Sequence, residues 1–504
     1  MLRAMTKRQV VCLDVAILLV ISAGLIFSNL GNMYLWQDEA QTALISKTIL
    51  THGVPLGYDG KNYFSQELGK EYGKGYVWRW HTWLPFYVLA GFFAAFGTSN
   101  FACRLPFALA GIGTVILTYF FAGSLWHTRR SAVLAAILLL LNVPFLLLAR
   151  QCRYYSMTAL FSVAALYAYS EILKGRKYAT PAFVISACLL FHTFYVYVPA
   201  LLGAAIIHSA IFRRDRLKLV LAASIIAGAI NLPWMIWLSN VYVPGPAESG
   251  VMYQTASRAI GFVVTIGKYL CLPALLVLPL LAMAHLRIRR RERPRADPEI
   301  VQHLVLLLLF AALVLIILGR TSPGPFFRYL APLVPVIIMI EALILDRAMR
   351  IHPAVGLVVL ALIAWHARMP DYLYEITHNY DGPIEGIVTY LNANGRDGDI
   401  VAAPHEDLPI KFYTKMRVIG ALTGESLSDI GKADWIIRRK SLLEGRECQV
   451  MQLLAKKLTP DEFDEITLEG YPDITNENRE DPGEHRFRTD EHEWPVVIYR
   501  RIER

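Results

Sequence analysis

Two adjacent acidic residues, Asp38 and Glu39, follow the first membrane-length apolar run of the chain, which covers residues 10–30. A run of about 20 apolar residues is long enough to cross a bilayer as a helix. The residues before the run are basic, and the positive-inside bias predicts that they stay in the cytoplasm. The acidic pair is therefore expected at the outer membrane face, where a carboxylate can act as a general base.

The two carboxylates are expected to differ in role. Neighbours on a helix point about 100° apart, so Asp38 and Glu39 are not expected to act on the same atom. One could serve as the base while the other binds substrate, a metal or the scaffold. The alternative is helix capping, because residues 40–50 have a helical pattern and acidic residues favour the first turn of a helix. The spacing leaves both interpretations open.

Arginine recurs at four separate positions that the topology below assigns to the outer face, against the positive-inside bias. Guanidinium groups match phosphate oxygens, and several that converge form an anion site. Tyrosines and histidines accompany them, as hydrogen-bond donors or, alternatively, as interface anchors and structural residues. The residues expected to bind a phosphate or its donor are Arg79, His81, Arg150, Arg153, Tyr154, Tyr155, His192, Arg328 and Tyr329.

The composition is that of a polytopic membrane protein. Of the 504 residues, 55% are hydrophobic and only 18% are charged, whereas soluble domains carry about a quarter charged residues. The net charge of +9 is attributed to cytoplasmic loops, so no nucleic-acid partner is expected. The six cysteines form no CxxC pair, no set of His, Asp and Glu has metal-ligand spacing, and no nucleotide-binding glycine fingerprint occurs. We expect no required cofactor and no metal site, although a divalent metal remains possible.

Eleven apolar runs are candidate membrane spans. They lie near residues 10–30, 101–125, 131–149, 157–173, 179–195, 196–212, 218–238, 258–285, 300–318, 329–345 and 352–367. Five basic links, at residues 127–130, 174–177, 213–218, 287–295 and 346–350, are all expected in the cytoplasm. This parity requires residues 31–100 to form one outer loop.

Within that loop, the apolar segment 84–97 has 14 residues. As a helix it would reach about 21 Å, less than the ~30 Å of the hydrocarbon core, so we expect a juxtamembrane or re-entrant helix. The N-terminus is then cytoplasmic and the C-terminus lies outside.

The chain changes character at about residue 369. Residues 369–504 are polar, with strand-like runs at 399–403, 433–437 and 495–499. Helical patterns at 382–392 and 442–457 alternate with them. The sequence predicts a transmembrane domain at 1–368 and a soluble α/β domain at 369–504 on the outer face.

Several short motifs resemble those of the GT-C superfamily of integral-membrane glycosyltransferases, specifically bacterial relatives of protein O-mannosyltransferases and lipid A aminoarabinose transferases. They are residues 36–39 (WQDE), 81–84 (HTWL), 96–106 (FGTSNFACRLP), 149–155 (ARQCRYY), 327–332 (FRYLAP), 398–401 (GDIV) and 408–413 (LPIKFY). Thr82 and Trp83 stand where the family has prolines. Arg79 and His81 stand where aminoarabinose transferases carry a Glu-Lys pair, which argues against an aminoarabinose transferase proper.

The resemblance implies a GT-C fold of about 11 transmembrane helices with juxtamembrane helices in the first outer loop. It implies transfer of a hexose or pentose from a polyprenyl-phosphate-linked donor to a glycan, lipid or protein acceptor, with inversion, at the outer face of a bacterial inner membrane. Asp38 would be the base with Glu39 in support, and arginines would stabilise the departing lipid phosphate. A transporter or flippase of polyprenyl-linked sugars is the alternative, and a scaffold with a partner-binding outer domain is a third.

Overall fold

The computed structural model describes residues 6–239, 251–270, 297–350, 353–439, 461–474, 478–481, 483–485, 487 and 494–502. The first part is a helical bundle. Its helices are α1 (Lys7–Phe27), α2 (Gln37–His52), α3 (Leu84–Phe96), α4 (Asn100–Trp126), α5 (Arg129–Leu141), α6 (Val143–Ala149), α7 (Tyr155–Leu173), α8 (Ala179–Phe194), α9 (Val198–Phe212), α10 (Arg214–Ser239), α11 (Val251–Tyr269), α12 (Pro298–Thr321), α13 (Val334–Met349) and α14 (Pro353–His366). The second part is a smaller α/β region.

The basic links that the structure describes lie together at one end of the bundle. Arg130 pairs with Asp346 at 3.0 Å, which brings two of these links into contact. Lys174 and Arg213, from two others, line one cavity at the same level. We call this the basic end, and the opposite end, where Asp38 lies, the Asp38 end. The fifth link, 287–295, falls outside the described residues.

Six helical segments in the described part of the chain are long and apolar enough to cross a membrane, and the bent pair α5–α6 is a seventh candidate. The chain is thus a multi-pass membrane protein, as the sequence predicts. The bend of 73° between α5 and α6 interrupts the predicted span 131–149. Its cause is local, because the Asn142 side chain accepts the Phe145 N–H at 2.9 Å and Pro144 starts the new helix.

Helices α8 and α9 form one continuous helical segment that turns back on itself at residues 195–197. Phe194 stacks on Tyr154, which lies beside the Asp38 end of α7. Phe183 and His208, on either side of the turn, both contact Tyr169 near the other end of α7. The chain therefore runs to the Asp38 end and returns, which matches the two predicted spans 179–195 and 196–212.

Helix α11 departs from the expected span 258–285. Its Thr255 packs against Gly319 near the Asp38 end of α12, and Tyr269 packs against Phe327 at that same end. Ile260, Val263 and Val264 remain exposed on its outer side. Helix α11 thus lies along the Asp38 end with an apolar face turned outward, as an interfacial helix does. The rest of the expected span, residues 271–285, lies outside the described residues.

The first outer loop contributes α2 and α3, which pack on each other and on the bundle. Both ends of α3 stay at the Asp38 end. Trp83, just before it, packs on Trp234, and Asn100, just after it, bonds the Gly31 carbonyl at 3.2 Å. This helix of 13 residues is apolar but too short to span, as its sequence predicts.

The C-terminal region is a mixed sheet with helices α15 (Met369–Thr377), α16 (Pro383–Asn394) and α17 (Asp407–Tyr413). Its strands are β1 (Ile400–Ala403), β2 (Arg417–Gly420), β3 (Trp435–Arg438), β4 (Phe463–Pro472) and β5 (Pro495–Arg501), in the order β2-β1-β3-β5-β4. Strand β1 is parallel to β2 and β3, and β5 is antiparallel to β3 and β4. The expected helix at 442–457 lies outside the described residues.

The C-terminal region sits on the Asp38 end. The Tyr413 hydroxyl bonds Asn100 at 2.5 Å and accepts the Leu35 N–H at 2.8 Å. The chain after β1 leads directly into α17, which packs on α2. Loops at the carboxyl ends of parallel strands are a common place for functional residues, and this one is directed at the acidic pair.

Candidate active site

Asp38 lies in the first turn of α2 and is held by three side chains from separate parts of the chain. Gln66 donates to its Oδ1 at 3.0 Å, and Arg328 donates to its Oδ2 at 3.2 Å. Arg153 approaches the same Oδ2 at 3.5 Å and bonds the Asp38 carbonyl at 3.1 Å. Burial by itself raises the pKa of Asp38, but Arg153, Arg328 and the Gln66 bond outweigh it and hold the pKa below its usual value. The carboxylate is ionised at neutral pH.

Glu39, one residue further, faces the interior. Its side chain is fully buried and forms a two-pronged pair with Arg104, at 2.8 and 2.7 Å. Glu39 also accepts the Cys152 N–H at 2.7 Å and reaches back to the Trp36 N–H at 3.4 Å, at the start of α2. All these hydrogen bonds come from other residues of the protein. The geometry therefore favours the supporting role and the capping interpretation of Glu39 over chemistry on a substrate.

The two arginines next to Asp38 have unused hydrogen-bond donors. The Nε atoms of Arg153 and Arg328 are buried and have no hydrogen-bond partner in the part of the chain that the structure describes. Leaving a buried donor unpaired costs about 1–3 kcal/mol. Their guanidinium groups converge on one carboxylate oxygen, and both pKa values are raised although burial opposes this, because Asp38 and nearby tyrosines favour the charged form. The arrangement is suited to an anion with several oxygens.

His81 and the predicted tyrosines surround this pair. Burial and the charge of Arg153 lower the pKa of His81 to about 3, so its ring is neutral, and its Nδ1 accepts the Trp78 indole N–H at 3.2 Å. The Tyr154 ring contacts His81 and lies beneath the Arg153 guanidinium, at 5.5 Å. Further members of the same cluster are Tyr155, which helps to raise the pKa of Arg153, and Tyr329, whose ring lies 5.8 Å from the Arg328 guanidinium.

Arg79 and His192 belong to a separate neighbouring cluster. The Arg79 guanidinium stacks over Trp237 at 5.0 Å, and its buried Nε has no partner among the described residues. The His192 ring packs on Trp234, whose ring in turn contacts Trp237 and Trp83. These two predicted residues therefore lie beside tryptophans at the Asp38 end of α10, not on Asp38 itself.

Arg150 has a different environment from the one expected. Its Nη1 donates to the carbonyls of Ile26 and Ser28, each at 2.7 Å, at the end of α1. Its guanidinium also lies over the Tyr372 ring at 6.0 Å. Cations favour the C-terminal end of a helix, where carbonyls lack partners. The structure thus gives Arg150 a capping function, and a direct role on phosphate stays a prediction without geometric support.

Three residues at the site escape sequence reasoning. Gln66 lies in the polar part of the first loop and carried no signal. His405 follows β1, and when protonated its charge lowers the pKa of Asp38. Glu480 accepts the backbone N–H of Arg328 at 3.0 Å, and burial raises its pKa although Arg328 opposes this. The position of His405 at the carboxyl end of a parallel strand is the one signal that could have identified it.

A sequence model for dolichyl-phosphate-mannose-protein mannosyltransferases matches residues 80–237. The match runs from the first loop through α10 and includes Arg153 but not Asp38. No curated protein sequence matches the chain.

Solved structures match it more fully. Two structures of ArnT from Cupriavidus metallidurans, bound to undecaprenyl phosphate and in the apo state, give TM-scores of 0.56 and 0.59 at 14% and 15% identity, with 98% of each chain covered. The oligosaccharyltransferase AglB from Archaeoglobus fulgidus, in complex with an inhibitory peptide and a dolichol-phosphate, gives 0.58 at 14% identity, over 91% of this chain and 72% of that one. The arabinofuranosyltransferase AftD from Mycobacteria gives 0.53 at 14% identity, over 99% and 40%. At these identities the likeness establishes the fold, which is that of the GT-C membrane glycosyltransferases.

Proposed function

We propose that this chain, a multi-pass membrane protein with the GT-C fold, is a glycosyltransferase that moves a sugar from a polyprenyl-phosphate donor to an acceptor. The observation that carries the proposal is the position of one ionised carboxylate, Asp38, against Arg153 and Arg328, each with an unpaired buried Nε–H. Asp38 supplies a base, and Arg153 and Arg328 supply an anion site. Both are needed where a hydroxyl displaces a lipid phosphate.

The arginines would hold the phosphate of the donor. Arginine presents several N–H donors in a planar fork that fits phosphate oxygens. As the sugar–phosphate bond breaks, negative charge grows on the departing oxygen, and pre-oriented donors stabilise that charge. Two structures with a similar fold, ArnT bound to undecaprenyl phosphate and AglB in complex with a dolichol-phosphate, support this ligand class.

Asp38 would accept the proton of the attacking hydroxyl. In a single displacement the acceptor oxygen bonds the anomeric carbon, the bond to the phosphate oxygen breaks, the proton passes to Asp38, and the configuration inverts. A positioned general base contributes about 10²–10⁴-fold to such a step. Gln66, which bonds the other carboxylate oxygen, would keep Asp38 oriented during the transfer.

Donor binding would also adjust the basicity of Asp38. Before the donor arrives, both arginines face the Asp38 carboxylate and hold its pKa low. The phosphodiester of the donor carries one negative charge and competes for the same guanidinium groups. Each arginine drawn toward the phosphate removes part of the stabilisation of the ionised carboxylate, so the pKa of Asp38 rises as the donor settles. The base would thus gain strength once its substrate is in place.

We place the Asp38 end on the extracytoplasmic side of a bacterial inner membrane, with the N-terminus in the cytoplasm. The support is the gathering of the described basic links at the opposite end. The acceptor would then be a glycan, lipid or protein hydroxyl in the periplasm.

A direct assay tests the activity. Full-length protein in detergent is incubated with labelled polyprenyl-phosphate sugars and candidate acceptors, and release of polyprenyl phosphate is followed. We expect Asp38→Asn to lower the rate by at least about 10²-fold, because it removes the base and keeps the shape. The matched control is Asp397→Asn, the same change at an exposed aspartate of the C-terminal region.

Wild-type turnover by Asp38→Asn would refute the base assignment. Movement of labelled lipid across a vesicle membrane without transfer of its sugar would refute the enzyme and favour a flippase. Orientation is tested separately by single cysteines at exposed positions, Lys74→Cys and Arg214→Cys, in a background without the native cysteines. An impermeant maleimide applied to intact cells should label the first and not the second.

A further inference from the structure

Three side chains with metal-binding atoms converge at the basic end, far from Asp38. His127 Nε2 lies 3.3 Å from Glu299 Oε1, and His303 Nε2 lies 3.7 Å from the same oxygen. All three ligand atoms fall within 4.8 Å of one another. No other set of three such residues in the described part of the chain meets this criterion.

Secondary structure aims the three side chains at one point. Glu299 and His303 stand four positions apart on the first turns of α12, so they share one face of that helix. His127 comes from a different helix, as the residue that ends α4, and has φ of +54°. A left-handed conformation is uncommon for a residue with a side chain, and here it ends α4 where the ring can meet α12.

His303 supplies an independent sign of a missing ligand. Only 7% of its side chain is exposed, yet both ring nitrogens are buried and neither has a hydrogen-bond partner in the residues described. Its ring is flanked by Trp126 and His127 at 6.4 Å each. An imidazole buried among rings without partners costs free energy that a bound cation would recover.

We propose that His127, Glu299 and His303 bind a zinc ion. Zinc takes imidazole nitrogens at about 2.0–2.1 Å and carboxylate oxygens at about 2.0–2.2 Å in tetrahedral geometry, which places neighbouring ligand atoms about 3.3–3.5 Å apart. The separations of 3.3 and 3.7 Å come close to this before any adjustment. Two imidazoles and one carboxylate suit zinc better than magnesium or calcium, which prefer oxygen ligands alone.

The fourth zinc position is left for water or an anion. A cavity of about 430 Å³ adjoins the site, and Glu299 and His303 form part of its wall. Lys174, Arg213 and Asp297 line the same cavity, so its wall carries charges of both signs. By joining the end of α4 to the start of α12, the ion would tie two parts of the bundle at the end opposite the sugar-transfer site. The assignment does not depend on the proposed function.

Metal analysis of the whole protein tests the site. The chain is purified in detergent with an affinity tag that contains no histidine, stripped with a chelator, dialysed against zinc chloride and analysed by mass spectrometry for metals. We expect one zinc per chain. Cobalt(II) in its place should give the visible absorption of a tetrahedral site.

Variants then assign the ligands. His127→Gln alters a half-exposed side chain, so it should leave folding intact. Losing an outer partner of a ligand usually weakens metal affinity about 10–100-fold, so losing the ligand His127 itself should weaken zinc affinity by more than that. His303→Gln should do the same. The control is His208→Gln, a buried histidine of the same cavity that bonds Tyr169 and the Gln302 carbonyl and should keep its zinc.

Less than one-tenth of an equivalent of zinc after dialysis, or equal zinc content in wild type and His127→Gln, would overturn the site. Iron retained in preference to zinc would overturn the choice of metal. Loss of zinc from His208→Gln with retention in His303→Gln would overturn the ligand assignment.

Discussion

At the scale of the residue, Asp38 and Glu39 show how one position along a helix changes the role of a carboxylate. Asp38 keeps 15% of its side chain exposed and faces two arginines with donors in reserve. Glu39 is fully enclosed and bound by Arg104 and the Cys152 N–H. Removing one partner of such a buried pair costs about 3–5 kcal/mol, so we expect Glu39 to govern the stability of the site, and we assign the proposed chemistry to Asp38.

The buried His81 predicts a pH dependence of stability. Its pKa is about 3 in the folded chain, against about 6.5 when unfolded, so between these values the unfolded chain binds the proton more readily. Stability should therefore fall as pH drops from 7 to 5, by up to about 1.4 kcal/mol per pH unit from this residue. Asp38, with a pKa below its usual value, loses its contribution only at lower pH.

Thermal unfolding in detergent at several pH values measures this effect. His81→Gln should unfold earlier at pH 7.5, because packing is lost, but its midpoint should decline less between pH 7 and 5 than that of the wild type. His52→Gln, at an exposed position, should keep the wild-type slope. Parallel slopes for wild type and His81→Gln would show that His81 does not titrate with unfolding.

At the scale of the element, apolar runs predict helices well, because burial and the bilayer set their length and character. The sequence indicated the short α3, the turn between α8 and α9, and the three strand-like runs of the C-terminal region. The predicted span 131–149 passed over the local bend at Asn142. The surface position of α11 could not be indicated, because it depends on contacts with distant segments. In the same way Arg150 and Arg153 are identical in type and three positions apart, and only the fold separates a helix cap from a site residue.

We expect the same substitution to have different effects at Arg153 and at Arg150. Arg153→Gln should raise the KM for the polyprenyl-phosphate donor by about 10–100-fold, because a hydrogen bond to a charged group contributes about 1.5–3 kcal/mol. Arg150→Gln should leave that KM unchanged and lower the unfolding midpoint, because the carbonyls of Ile26 and Ser28 lose their donor. Initial rates at varied donor concentration, together with thermal unfolding, measure both. A raised KM in Arg150→Gln at unchanged stability would support a direct role of Arg150 in phosphate binding.

At the scale of the whole molecule, the C-terminal region takes part in the site that the bundle builds. His405 approaches Asp38 from the end of β1, and Glu480 accepts the Arg328 N–H. Neither was identified from the sequence, because a histidine or a glutamate in a polar segment resembles an ordinary solvated residue until the two regions are seen together. The same holds for His127, whose sequence distance from Glu299 and His303 conceals their proximity.

Glu480 predicts that this region restrains donor binding. Its carboxylate lies beside Arg328, where the donor phosphate is proposed to bind, and the two anions would repel each other. Glu480→Gln should tighten binding of polyprenyl phosphate by about tenfold, equivalent to the loss of about 1.4 kcal/mol of repulsion. Binding of labelled polyprenyl phosphate to the purified chain measures this.

Glu484→Gln is the matched control, because Glu484 is half exposed and pairs with Arg479. Weaker binding in Glu480→Gln than in the wild type would mean that Glu480 helps to hold Arg328 in place for the donor.

The residues that contact Asp38 are also synthesised at widely separated times. Gln66, Arg153 and Arg328 lie 28, 115 and 290 positions after it. Ribosomes add about 5–20 residues per second, so Arg328 is made about 15–60 s after Asp38. Throughout that interval the nascent chain has an acidic residue at the membrane surface but only part of its anion site. Distance along the chain therefore delays completion of this site, and the proposed transfer of a lipid-linked sugar could begin only once most of the protein has been inserted.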